Sequence, residues 1–423
     1  MAMNRMLLVG ALGLVVSACA SNSGGGSAAS GSGGASGQSG AGAAAGVTSQ
    51  AGGGAGFGNG GSATSGGMGG AGGGAGSGGA TGGAGAGNGG SGGGTAGAAG
   101  AGGGAPMASS KPCDIYAAAN TPCVGAHSTV RALYAAYSGK LYQVRRASDH
   151  TTMDIPVVSA GGLADAAQQD TFCAGTTCTI SIIYDQSPQE NHLPVSPPVH
   201  WLPNGGKEAD AGAAKITIMG HPVYGVLFPA DSTFTYRNNA TKGVATGDEP
   251  EAMYMVADGK RYNSRCCFDY GNVETTGNDD GAGTMETLNF SNINEWSRGG
   301  GDGPWVMADL ENGVFAGGSS DVPTNTPLDA KFVTVMLKGP SGNHYTLKDG
   351  DAQAGALGVK WDGARPNGYS PMKKEGALEL GVGGDGSGGG TGIFFEGVVT
   401  AGNPPDAADD AVQANIVAVG YGT

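Results

Sequence analysis

The side chains able to do chemistry gather in a few short stretches of this chain. Across Trp305-Val-Met-Ala-Asp-Leu-Glu-Asn-Gly-Val-Phe315, strand alternation puts Val306, Ala308, Leu310 and Val314 on one face and Met307, Asp309 and Glu311 on the other. Two carboxylates side by side repel, and each raises the pKa of its neighbour. Such a face is either simply solvated or used by a ligand. A second acid, Asp385, sits in Gly381-Val-Gly-Gly-Asp-Gly386. That run matches the G-x-G-x-x-G pattern, but Ser387-Gly-Gly-Gly-Thr-Gly follows where a phosphate-binding helix would begin. What survives is a turn presenting one acid after an Ala377–Leu380 strand. Asp269 and Glu274 are further carboxylates able to compete for a role or to serve structure. Trp296, Trp305 and Tyr270 offer flat faces on which sugars stack, although each also suits a core. The histidines, His127, His150, His192, His200, His221 and His344, form no H-E-x-x-H or zinc spacing.

The elements that must position these residues read as β-structure. Thr179–Tyr184, Lys215–Met219, Lys331–Lys338 and Gly392–Thr400 are short, β-branched or aromatic, and bounded by turn residues. One helix is expected where Val130, Leu133, Tyr134 and Tyr137 recur at helical spacing after a capping Ser128, and another over Ala407–Val417. The fold class is therefore mostly β with few short helices, a sandwich or a barrel.

Ahead of this unit the texture differs. The chain has 423 residues with 87 glycines, and no Asp, Glu, Lys or Arg occurs from Ala20 to Ser110. This segment cannot bury enough apolar surface to offset chain entropy and reads as a disordered tether, spanning roughly 50 Å as a Gly-rich coil. Its Gly89-Gly-Ser-Gly-Gly93 mimics a nucleophile elbow by composition alone. Residues 1–18 read as an export signal, and Val16-Ser-Ala-Cys19 looks like a bacterial lipobox with Cys19 lipidated. The expected location is the bacterial cell surface or outer membrane, with the lipid anchor as the only membrane contact. The whole chain is −14 and Arg5 is its only charge before Lys111, so the folded part carries −15, which disfavours nucleic acid as a partner.

Six cysteines remain in that part. Sequence proximity pairs Cys113 with Cys123 and Cys173 with Cys178, in a compartment that permits disulfides. Cys266 and Cys267 are left, either as an unusual bond between neighbours, forming a rigid apolar plate, or as two buried thiols.

Read in order, Lys111-Pro-Cys-Asp-Ile-Tyr, Thr121-Pro-Cys-Val, Ala126-His-Ser-Thr-Val-Arg-Ala-Leu-Tyr134, Gln169-Asp-Thr-Phe-Cys173 and Ile182-Ile-Tyr-Asp-Gln-Ser187 resemble the fungal-type α-L-arabinofuranosidase B catalytic domain, glycoside hydrolase family 54. Tyr236-Arg-Asn-Asn239, Cys266-Cys-Phe-Asp-Tyr-Gly-Asn272, Gly303-Pro-Trp305, Lys374-Glu-Gly-Ala377 and Val412-Gln-Ala-Asn-Ile-Val417 continue the resemblance across 111–423. It implies a β-sandwich of jelly-roll or concanavalin-like type carrying a retaining, exo-acting enzyme that releases terminal α-L-arabinofuranosyl groups from arabinan or arabinoxylan, works without metal or cofactor, and is expected to be monomeric. By position, Glu311 resembles the nucleophile and Asp385 the acid/base. Asp309, Asn312, Gly313 and Gly384 resemble sugar contacts, Trp296 an aromatic packed on the sugar, and Cys266–Cys267 a disulfide under the pocket; all six cysteines fall where the family pairs them. The chain departs from the family at Thr284, where some relatives carry His, over residues 186–223, and in ending at Thr423 without an arabinose-binding module. The rival expectations are a catalytically silent, lipid-anchored sugar-binding surface protein and a β-xylosidase or galactofuranosidase on the same fold.

Overall fold

A computed structural model describes residues 110–423; the readings of a leader, a tether and a lipidated Cys19 fall on residues outside it. Among the described residues the strands form three antiparallel sheets. The largest has eight strands, centred on Glu251–Asp258 between Phe332–Gly339 and Gly392–Ala401. These runs are apolar almost throughout, because they are covered on both faces. The second sheet has six strands in the order Val314–Phe315, Trp305–Asp309, Glu286–Ser291, Asp269–Val273, Ala377–Leu380, Tyr236–Asn238. A smaller sheet is built on Lys140–Arg146 and Cys178–Ile183.

The first two sheets pack face to face, as expected of a sandwich. Tyr270, Leu288, Phe290, Val306, Ala308, Leu378 and Leu380 point from the six-stranded sheet into the common core. Tyr270 reaches Phe394 of the opposite sheet, with ring centroids 5.3 Å apart. Gly397 makes this approach possible, since a Cβ there would stand 2.5 Å from the Tyr270 ring. The alternate residues of the same strands, Asp269, Thr287, Asn289, Met307 and Asp309, consequently face the other way. That second face carries the site.

The expected helix at Val130 does not form. Ser128 Oγ does accept from the Val130 and Arg131 N–H groups, at 3.2 and 3.1 Å. The next donors are then claimed by distant partners: Ala132 N–H by Gly162 O, Leu133 N–H by Gln186 Oε1, and Ala135 N–H by Asp114 Oδ2. Those tertiary bonds take the place of helical ones. The opening helix is Pro112–Ala118 instead, with proline at its start. The terminal helix runs Asp406–Val419 and stops at Gly420, in the left-handed conformation. Cys113–Cys123 and Cys173–Cys178 are bonded, each joining a helical segment to a strand.

Candidate active site

Asp309 ends its strand on the outer face of the six-stranded sheet, and the chain reverses at once. Leu310 N–H donates to Gly313 O at 3.1 Å, and Val314 pairs back with Asp309. Glu311 and Asn312 occupy the two central positions of this hairpin turn, with φ of 62° and 57°. Turns of this hand favour Asn-Gly, so a glutamate held there is strained. The continuous strand expected through Glu311 is thereby corrected: Val314 lies with Met307, not with Val306 and Ala308. Trp305 and Tyr270, considered as sugar platforms, are both buried. The Trp305 indole donates to Gly300 O, and the Tyr270 hydroxyl pairs with His127.

Four carboxyls converge around the turn. Thr287 Oγ1 and Asn289 Nδ2 hold Asp269 at 3.1 and 2.7 Å, and Asp269 shares a hydrogen bond with Asp309. Glu274 follows the Asp269–Val273 strand; its carboxyl accepts from Thr284 Oγ1 at 2.8 Å and shares a hydrogen bond with Glu311. Burial pushes Asp269 up to about 7, and it pushes Asp309 further. Glu311 also moves well above the ordinary glutamate range, first through burial and then through the charges of Glu274, Asp309 and Asp385. Adjacent buried acids cannot all ionise, so each pair shares a proton.

Asp385 reaches the cluster on the loop after Ala377–Leu380. Its Oδ1 accepts from Ser387 N–H at 2.9 Å and its Oδ2 from the Trp201 indole at 2.8 Å. This loop is laced to the vicinal pair: Cys267 N–H donates to Ser387 O and Gly389 N–H to Cys266 O. Cys266 and Cys267 are bonded to one another, and Cys267 Sγ lies 3.0 Å from Asp309 Oδ2. Bonded sulfur offers no thiolate, so the grouping of these two cysteines with Asp309 is poorly suited to a metal. Trp296 packs beside the disulfide. Arg237, fully buried, pairs with Glu379 and donates to the backbone carbonyls of both Glu274 and Gly384, tying two walls of the site together. Gly313 lies against Phe315 and Tyr369, and the Asn312 amide donates to Asp279 at 2.9 Å. Asp269, Glu274, Asp309, Glu311, Asn312, Gly313, Gly384, Asp385, Trp296 and the Cys266–Cys267 pair are thus brought together, whereas Tyr270 and Trp305 belong to the core and Cys19 lies outside the described residues. Trp201, Arg237, Ser387 and Tyr369 were not singled out as site residues. Arg237 and Ser387 lie inside longer motifs and Trp201 in the loosely matching segment 186–223, while Tyr369 carries no signal in the sequence.

Residues 112–422 match the family model "Alpha-L-arabinofuranosidase B, catalytic". The chain belongs to this family. It is similar to the probable α-L-arabinofuranosidase B of Aspergillus fumigatus, at 52% identity over 74% of this chain and 62% of the relative. The α-L-arabinofuranosidase B of Aspergillus oryzae is 50% identical over 75% of this chain and 63% of its own. A crystal structure of an arabinofuranosidase complexed with arabinofuranosyl-α-1,2-xylobiose superposes with a TM-score of 0.72 at 48% identity, covering 74% of this chain and 66% of that one. The chain therefore spans a little under two thirds of the curated relatives it matches. These α-L-arabinofuranosidase B relatives are fungal, which overturns the expectation of a bacterial, lipid-anchored outer-membrane protein. Small residues such as Val16-Ser-Ala18 are required before the cleavage point of any export signal, so they do not specify a lipobox.

Proposed function

We propose that this α-L-arabinofuranosidase B family member is a retaining, exo-acting α-L-arabinofuranosidase acting on arabinan- or arabinoxylan-type side chains. The observation that carries the reading is the placement of Glu311 on a strained turn, buried against Glu274 and Asp309 and within the field of Asp385. Glu311 attacks the anomeric carbon while Asp385 gives its proton to the leaving oxygen, and the glycosyl–enzyme ester then yields to a water that Asp385 deprotonates. Attack requires an ionised Glu311. Its hydrogen bond to Glu274 supplies a route: the bond raises Glu311 and lowers Glu274, so the shared proton lies on Glu311 in the free site and passes to Glu274 before attack. Cys266–Cys267 and Asp309 support the floor beneath the furanose ring, Trp296 packs on it, and Asn312, Gly313 and Gly384 complete the rim. That both carboxylates belong to one cluster of interacting charges disfavours a silent sugar-binding protein, which needs neither.

The test is a pair of variants assayed on 4-nitrophenyl α-L-arabinofuranoside and on polymer. Glu311→Gln abolishes both activities. Asp385→Asn loses polymer hydrolysis, keeps part of the first step on the aryl substrate, and regains turnover with azide. Azide rescue of Glu311→Gln instead, or full polymer activity in Asp385→Asn, reverses or removes these assignments. Parallel assays with 4-nitrophenyl xyloside and galactofuranoside test the neighbouring activities.

A further inference from the structure

Trp201 is the most conspicuous aromatic left on the surface, 54% exposed, on a loop far from the catalytic strands in sequence. Its position is built. Val199 and Leu202 bond to each other through their backbones and form a small apolar cluster with Val382. The same two side chains close over Gly386, where an added Cβ would stand 2.7 Å from Val199. Backbone bonds fix the tip on both sides: His200 N–H donates to Gly277 O at 2.9 Å, and Trp201 N–H to Asp385 O at 2.9 Å. The His200 imidazole stands edge-on to the indole, with ring centroids 4.6 Å apart. Held in this way, the indole N–H donates to Asp385 Oδ2 at 2.8 Å. The other carboxylate oxygen is taken by Ser387 N–H.

We infer that Trp201 is a positioning residue for the acid/base, its N–H fixing the Asp385 carboxylate and its exposed ring forming the platform for the sugar on the leaving-group side. The inference rests on the assignment of Asp385 made above. A general acid must lie within hydrogen-bond reach of the oxygen it protonates. The sugar attached to that oxygen is then held beside Asp385, where the exposed Trp201 ring, bonded to that carboxylate, offers a flat apolar surface. A carboxylate free to rotate would deliver its proton in fewer encounters, and the loss would be felt where protonation limits bond cleavage.

The experiment compares kcat/KM for 4-nitrophenyl α-L-arabinofuranoside, which departs without a proton, with that for a methyl arabinofuranoside and arabinoxylan, which need one. Trp201→Phe keeps a ring and removes the N–H. It is expected to lower kcat/KM on the two poor leaving groups by about tenfold and to change the aryl substrate by less than about threefold, with KM for arabinoxylan nearly unchanged. Trp201→Ala is expected to add a rise in KM for arabinoxylan. Should the alanine variant lose the loop, the phenylalanine variant alone decides. Equal loss on all substrates, or no loss on any, overturns the inference. Asp385→Asn run alongside separates the two failures. If it shows the leaving-group dependence while Trp201→Phe does not, the positioning role fails and the function stands; if Asp385→Asn keeps full activity, both fall.

Discussion

Gly384 and Glu274 are pressed together: a Cβ at position 384 would stand 2.1 Å from Glu274 Oε2. That oxygen is buried with no hydrogen-bond partner by geometry among the described residues, while the other carboxylate oxygen accepts from Thr284 Oγ1 at 2.8 Å. Gly384→Ala therefore forces the Glu274 carboxyl to swing, and with it the proton shared with Glu311. The fold should survive, because the clash meets the end of a side chain. We expect kcat/KM to fall by roughly a hundredfold, the order seen when one positioned proton-transfer group is lost, with the thermal midpoint changed little. Normal activity in Gly384→Ala would mean Glu274 plays no part.

The hairpin turn predicts a conflict between stability and activity. Glu311 holds φ of 62° among acidic neighbours. Glu311→Gly removes both the conformational strain and a buried acid, and should raise stability by about 1–3 kcal/mol while eliminating catalysis. Chemical denaturation of the variant checks the first half, and an unchanged or lower midpoint contradicts it.

Lys374 lies fully buried between Glu286 and Glu251, 3.1 and 3.2 Å from their oxygens, with Arg365 on the far side of Glu286. Lys374→Met leaves Glu251 without its cation and should cost about 3–5 kcal/mol. Adding Glu251→Gln should recover part of that loss, because the amide carries no charge to strand. If the double variant is no more stable than the single one, the cost lies in packing rather than in charge.

The stability of the domain should be greatest in mild acid. Burial raises Asp269 and Glu251 to about 7 and Asp349 to about 6, despite nearby donors and cations. In the unfolded chain these groups release their protons near pH 4. Between about pH 4 and 7 the folded state therefore binds more protons than the unfolded one, and stability falls as pH rises. Glu286 acts in the opposite sense. Burial works to raise it, but Lys374 and Arg365 prevail and bring it down to about 2. Lys338 and Lys348 bring Asp406 to about 2 as well. Their contribution is present above the unfolded values and lost as pH falls toward 2. Thermal unfolding across pH 3 to 8 should show its maximum near pH 4–5, by this linkage; a maximum at pH 7–8 would refute it.

Much of the architecture was legible because periodicity is local. The strands over 179–184, 215–219, 331–338 and 392–400 and the terminal helix declare themselves by spacing, and the structure places elements there with small shifts at their ends. The helix read at Val130 was not legible for the same reason: its pattern was helical, but the hydrogen-bond acceptors that displaced the helix, Gly162, Gln186 and Asp114, lie elsewhere in the chain.

The candidate site divides in the same way. Residue order picks out Asp309, Glu311 and the adjacent cysteines, because paired carboxylates and neighbouring thiols are unusual wherever they fall, and Asp385 as the one acid of a glycine-rich turn, whose role comes from the family resemblance. The turn at Glu311, the proton shared with Glu274, the hold of Arg237 on two walls and the reach of Trp201 to Asp385 were decided only by the tertiary structure. Each depends on a distance between residues remote in the chain, or on a backbone angle imposed by a hairpin. A pattern of residue types carries which groups are present; the packing of two sheets and their loops determines which of those groups meet, and therefore how their charges are set.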